Sequence, residues 1–111
     1  MEVIVIKPTD MAEPESRQFN GTLSELLASL IEGSPEQVPG FNTISERGVV
    51  RSCRAYCNME ANQQALPVNS TGTGLWHVAL KRQGLERGLR REDGSLADWL
   101  VGNVVVVLEQ S

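Results

Sequence analysis

The chain has 111 residues and a mass of 12.2 kDa, with 41% apolar and 22% charged side chains. That is enough for one globular core, too little for two, and too apolar for a disordered segment. The net charge of −4 is uneven: residues 1–46 carry eight acids against Lys7 and Arg17, whereas residues 47–111 carry eight bases against six acids. No apolar run approaches the roughly 20 residues that span a bilayer. Met1 to Lys7 lacks the basic leader of a signal peptide, so a cytoplasmic domain is expected.

Val3-Ile4-Val5-Ile6 is an unbroken β-branched run closed by Lys7-Pro8, which predicts a strand buried on both faces. Pro8 to Arg17 is acidic and reads as a loop or weak edge strand. Thr22 and Glu25 form a capping box, in which hydroxyl and carboxylate satisfy orphan amides reciprocally. Leu23, Leu26, Leu27, Leu30 and Ile31 then follow at helical spacing, with Gly33 as the stop. Pro35, Pro39 and Gly40 predict turns up to Gly48, with at most a short strand near Phe41 to Ile44.

Val49 to Asn58 alternates as a strand, although apolar and polar residues occur on both of its faces. Ala65 to Val68 reads as a second strand, pairing with it through a turn at Ala61 to Gln64. A helix over roughly Thr71 to Gln83 has Asn69, Ser70 or Thr71 as cap and Gly84 as stop. Leu75, Trp76, Ala79 and Leu80 form its apolar stripe. Gly84 to Gly94 is a charged connection, Ser95 to Asp98 starts one helical turn reaching Trp99 and Leu100, and Val104 to Leu108 is a final buried strand.

The whole predicts a single α+β domain over residues 1–111. A mixed sheet of four or five strands is covered by two main helices, with both terminal strands in the middle of the sheet.

Tyr56-Cys57-Asn58, Ala65-Leu66-Pro67-Val68-Asn69 and Leu100-Val101-Gly102-Asn103-Val104-Val105-Val106-Val107 are three short words in a chain that opens with a proline-closed strand and a Leu-rich helix. Together they resemble the small phage and mobile-element proteins grouped as domain of unknown function 3846. Members tend to have a glycine in the turn after the Cys-Asn pair and an arginine after the later asparagine, where this chain has Met59 to Asn62 and Ser70. The resemblance implies accessory cargo of mobile DNA, and it carries over no catalytic residues.

Cys53 and Cys57 share a strand face about 13 Å apart at roughly 3.3 Å per residue, too far for a disulfide. With His77 they give three metal ligands and no fourth, so no metal or cofactor is expected. Cys57 and His77 also suggest a nucleophile and base, but nothing in the sequence orients the histidine, and packing roles are the commoner reading.

Thr71-Gly72-Thr73-Gly74 ahead of a helix resembles an anion-cradling turn without the lysine of a P-loop. Asn69, Ser70, Thr71 and His77 are therefore candidates for partner or anion binding. Lys81, Arg82, Arg87, Arg90 and Arg91 are the candidates for nucleic-acid contact, interrupted by Glu86, Glu92 and Asp93. The acids from Asp10 to Glu15, with Glu32 and Glu36, are candidates for a phosphate-mimicking face that would occupy a basic site on a DNA-handling protein.

The function expected is a non-enzymatic interaction module of a phage or mobile element, binding a host or defence protein. A weak nucleic-acid binder using residues 81–91 and a small Cys/His hydrolase stand as alternatives.

Overall fold

A computed structural model describes residues 1–8, 14–31, 33–58, 67–85 and 100–109. Its centre is built from the two unbroken apolar runs. β1 (Glu2–Ile6) pairs antiparallel with β6 (Val104–Leu108), Val3 opposite Val107 and Ile6 opposite Val104. All five β6 residues are buried, as are Val3 to Ile6 of β1. A strand with a helix on each side has no polar face, which is why neither run alternates.

Around this pair, β2 (Glu15–Gln18) flanks β1 and β5 (Val49–Asn58) flanks β6. The outer side of β5 is shared by two short strands, β3 (Pro35–Gln37) against Tyr56 to Asn58 and β4 (Thr43–Glu46) against Val49 to Ser52. The order is β2-β1-β6-β5-β3, with β4 on β5. The class is α+β, and every pairing among the described strands is antiparallel. The sheet has six strands, where a mixed sheet of four or five was expected.

One expectation is overturned. The hairpin partner of β5 is β4; of the segment expected there, Ala65 and Leu66 lie outside the described residues, and Val68 forms an isolated bridge to Val101. Arg47 (φ 51°) and Gly48 (φ 79°) both adopt left-handed backbone. That is the geometry of a two-residue type I′ turn, whose twist matches the flanking strands. Arg-Gly is not the usual Asn-Gly word, so the turn escaped a composition-based reading. The strand expected near Phe41 to Ile44 lies slightly later, and Phe41 is a core residue in the loop between β3 and β4.

The helices cover opposite faces. α1 (Leu23–Leu30) begins at Thr22, whose hydroxyl accepts from the Glu25 amide at 3.2 Å as the capping box requires. Its Leu26 and Leu27, with Ile31, bury against Val3, Val105, Val107 and Tyr56. α2 (Ser70–Arg82) places Trp76, Ala79 and Leu80 against Ile4, Ile6, Cys53, Ala55, Cys57, Val104 and Val106. The two faces of β5 are thereby resolved: Cys53, Ala55 and Cys57 lie under α2, and Tyr56 lies under α1.

The loop between β3 and β4 is pinned by α2. Trp76 Nε1 donates to the Pro39 carbonyl at 2.9 Å and Gln83 Nε2 to the Gly40 carbonyl at 2.7 Å. Among the described residues no helix is long and apolar enough to cross a membrane. Residues 59–66 and 86–99 lie outside the described residues, and with them the turn at Ala61 to Gln64 and the capping box at Ser95.

Candidate functional site

The start of α2, the first place nominated by sequence, is a packing device. Asn69 is its N-cap and is wholly buried. Its Oδ1 accepts from the Gly72 amide at 2.8 Å, while Nδ2 donates to the carbonyls of Ile6 at 2.8 Å and Gly102 at 2.9 Å. The Asn69 backbone also accepts from Thr73 and donates to Leu100. One amide thus joins the end of β1, the approach to β6 and the first turn of α2. Both amide protons and the carbonyl oxygen are committed, so Asn69 has little capacity left for an anion.

Gly72 is there for contact, not for phosphate approach. A Cβ on it would fall 2.9 Å from Val104 Cγ2 and 3.1 Å from the Asn69 side chain. Ser70 is exposed and Thr71 half-buried.

His77 is half-buried, its ring tilted 33° against Trp76 at 5.6 Å between centroids, and among the described residues its buried Nε2 has no hydrogen-bond partner. Cys57 is buried, and burial, reinforced by the Glu36 carboxylate, pushes its thiol up to about 11. Burial and Glu109 do the same to Cys53, also to about 11. A nucleophilic cysteine needs its thiolate at working pH, and these environments oppose it. Among the described residues no three His, Cys, Asp or Glu side chains are grouped to hold a metal ion.

Lys81 and Arg82 are exposed at the end of α2, where Arg82 donates to Thr43 Oγ1 at 3.2 Å. Arg87, Arg90 and Arg91 lie outside the described residues, as do Asp10, Glu13 and Glu32 of the acidic face.

The sequence did not nominate the second place, at the opposite end of β1. Glu2 and Arg51 alternate with core residues of their strands and so share the α2 face, with β6 between them. Arg51 reaches across to bind Glu2 through two contacts of 2.9 and 3.1 Å, and holds Glu46 at 3.0 Å. The Arg51 hydrogen bond holds the Glu2 carboxyl below the usual carboxylate range, and the same pairing raises Arg51. Fork-to-carboxylate geometry fixes direction as well as distance, so the β4–β5 hairpin is clamped to β1.

Beside this clamp lies a cleft of about 310 Å³ lined by Ile4, Ile44 and Leu75 on its apolar side and by Ser16, Ser45, Glu46 and Arg47. Arg47 has no hydrogen-bond or ion-pair partner among the described residues. At the hairpin tip Val49 and Val50 are 59% and 53% exposed, the two most exposed large apolar residues described. A sequence signal for this place existed in the word Glu46-Arg47-Gly48-Val49-Val50, a charged turn running straight into two valines. Comparison with known proteins finds no matching family model, no matching curated protein and no matching solved structure.

Proposed function

We propose that this chain is a non-enzymatic interaction module that binds a partner protein through the β4–β5 hairpin. The carrying observation is the tip itself, where Val49 and Val50, the first two residues of β5, are more than half exposed, one on each face of a hairpin clamped by Arg51. An apolar contact already fixed in place costs little ordering on binding, which is the condition for affinity from a small surface. The buried thiols of Cys53 and Cys57, with raised pKa values, argue against a cysteine hydrolase. The three short words that resemble domain of unknown function 3846 support a phage or mobile-element setting, with a cytoplasmic host or defence protein as partner.

Capture from host lysate on immobilised protein, at low and moderate salt and after nuclease treatment, tests this reading. One stoichiometric protein is expected, retained by the natural chain and lost by a Val49→Ser, Val50→Ser double variant. Equal retention by that variant, or retention only of nuclease-sensitive material, overturns it. The second outcome would favour the alternative in which exposed Lys81 and Arg82 start a nucleic-acid surface.

A further inference from the structure

We propose that the cleft between the β4–β5 hairpin, β2 and Leu75 is an anchor site for an acidic peptide segment, taking an aliphatic side chain followed by a carboxylate residue. The inference rests on the interaction-module reading and names the chemistry of the partner at a place separate from the exposed valines.

Size comes first. At about 310 Å³ the cleft sits at the lower end of the range of small-molecule pockets, which run from about 300 to 1,000 Å³. It suits one or two side chains better than a nucleotide or an extended cofactor. Polarity comes second. Ile4 and Ile44 are buried core residues whose side chains still line the cleft, and Leu75 completes an aliphatic wall. No aromatic side chain lines it, so it offers no platform for stacking a base.

Charge decides the rest. Of the lining residues, Glu46 and Arg47 are charged. The Glu46 carboxylate is engaged by Arg51, which also holds Glu2. Arg47 is exposed and makes no hydrogen bond or ion pair among the described residues, although its charge also acts on Glu2. Among the described lining residues, the one charged side chain outside an ion pair is therefore a cation. A planar guanidinium in that position matches a carboxylate through two parallel hydrogen bonds. Ser16, paired opposite Ile4, adds a hydroxyl that can bond a peptide backbone at the mouth. An apolar anchor seated in a pocket with a polar rim is the usual arrangement at the centre of a protein interface.

The test is an NMR titration of isotope-labelled full-length protein with terminally blocked hexapeptides. The probe is Gly-Ser-Leu-Glu-Gly-Ser, compared with versions carrying Ala for Leu or Gln for Glu. Amide shifts at Ile44 to Arg47, Ser16 and Leu75 are expected to saturate with a Kd on the order of 1 mM. Alanine for the anchor should weaken binding roughly tenfold or more. Glutamine for the acid should weaken it roughly threefold. Arg47→Gln is exposed and leaves the fold intact; it should bind the Glu and Gln peptides equally, closing a double-mutant cycle on that one pair.

Absence of saturable shifts around the cleft overturns the proposal. So does undiminished binding of the alanine peptide, or continued preference for Glu in the Arg47→Gln protein. The two readings fail separately. A lysate partner captured through the valines with no peptide shift sinks the cleft alone, and peptide binding without valine-dependent capture sinks the hairpin reading alone.

Discussion

β1 is gripped at both ends, and the two grips differ in every physical respect. At its C-terminal end the Ile6 carbonyl takes a hydrogen bond from Asn69, a neutral, wholly buried amide. At its N-terminal end Glu2 takes two from Arg51, a charged side chain that remains 30% exposed. The buried grip is closed: Gly72, Val104 and Leu100 pack around it and a helix starts on it. The charged grip is open, and the cleft and the two exposed valines lie beside it. Buried neutral hydrogen bonds contribute to stability and resist salt, whereas half-exposed ion pairs contribute less and respond to both salt and pH. A fold that closes one end this tightly can leave the other end open for contact.

Breaking the closed grip gives the largest effect. Asn69→Ala strands the carbonyls of Ile6 and Gly102 without their donor and removes the α2 cap. Each stranded buried group costs about 1–3 kcal/mol and the cap about 1, so a loss of about 3–7 kcal/mol is expected. Urea denaturation reads it, with the same loss at low and high salt. Asn69→Ser restores a capping oxygen but neither donor, and should recover only about 1 kcal/mol. A loss under about 1 kcal/mol for Asn69→Ala would mean that the amide is not the joint described above.

Gly72 and Gly74 sharpen the same region, because they share a helix and differ in surroundings. Alanine at Gly72 drives a methyl into Val104 and the Asn69 side chain, and overpacking of this kind costs about 1–3 kcal/mol. A Cβ at Gly74 meets nothing within 4 Å among the described residues. There the gain in helix propensity should stabilise by up to about 1 kcal/mol. Opposite signs for the two substitutions in thermal denaturation are the expected outcome; equal signs would show that the close approach at Gly72 relaxes.

The contrast also explains what could be read from sequence. The terminal strands, α1 with its Thr22 cap and α2 were legible because burial imposes a period, and caps and stops have their own residue types. Asn69 was visible as a cap. Its two donors were not, because Ile6 and Gly102 lie 63 and 33 residues away in the chain. The β4–β5 hairpin was missed for a local reason, a type I′ turn made with Arg47 where Asn is the usual residue. The cleft was invisible for a tertiary one. Its apolar wall brings Ile4, Ile44 and Leu75 together from three distant parts of the chain, and no periodicity records such a meeting. A lone arginine in a strand is ordinarily a solvated side chain.

Arg51→Gln tests the open grip, with the smallest effect on stability and the most diagnostic dependence on conditions. The folded-state pKa of Glu2 is lowered, chiefly by its hydrogen bond from Arg51. A lowered carboxylate pKa means that the folded state binds the proton less readily than the unfolded chain. The stabilisation is therefore complete above the ordinary carboxylate value of about 4.3, and is lost as pH falls through the depressed folded value. The natural chain should be slightly more stable than the variant at neutral pH, and the gap should narrow through that acidic window. It should also narrow as salt rises toward about 1 M, where the screening length is only about 3 Å. Glu15, lowered by Arg17 on β2, is present in both proteins and cancels from the difference. A gap that ignores both pH and salt would assign Arg51 a packing role through its aliphatic stem. The hairpin would then be held by apolar contact, and the cleft should keep its shape without the ion pair.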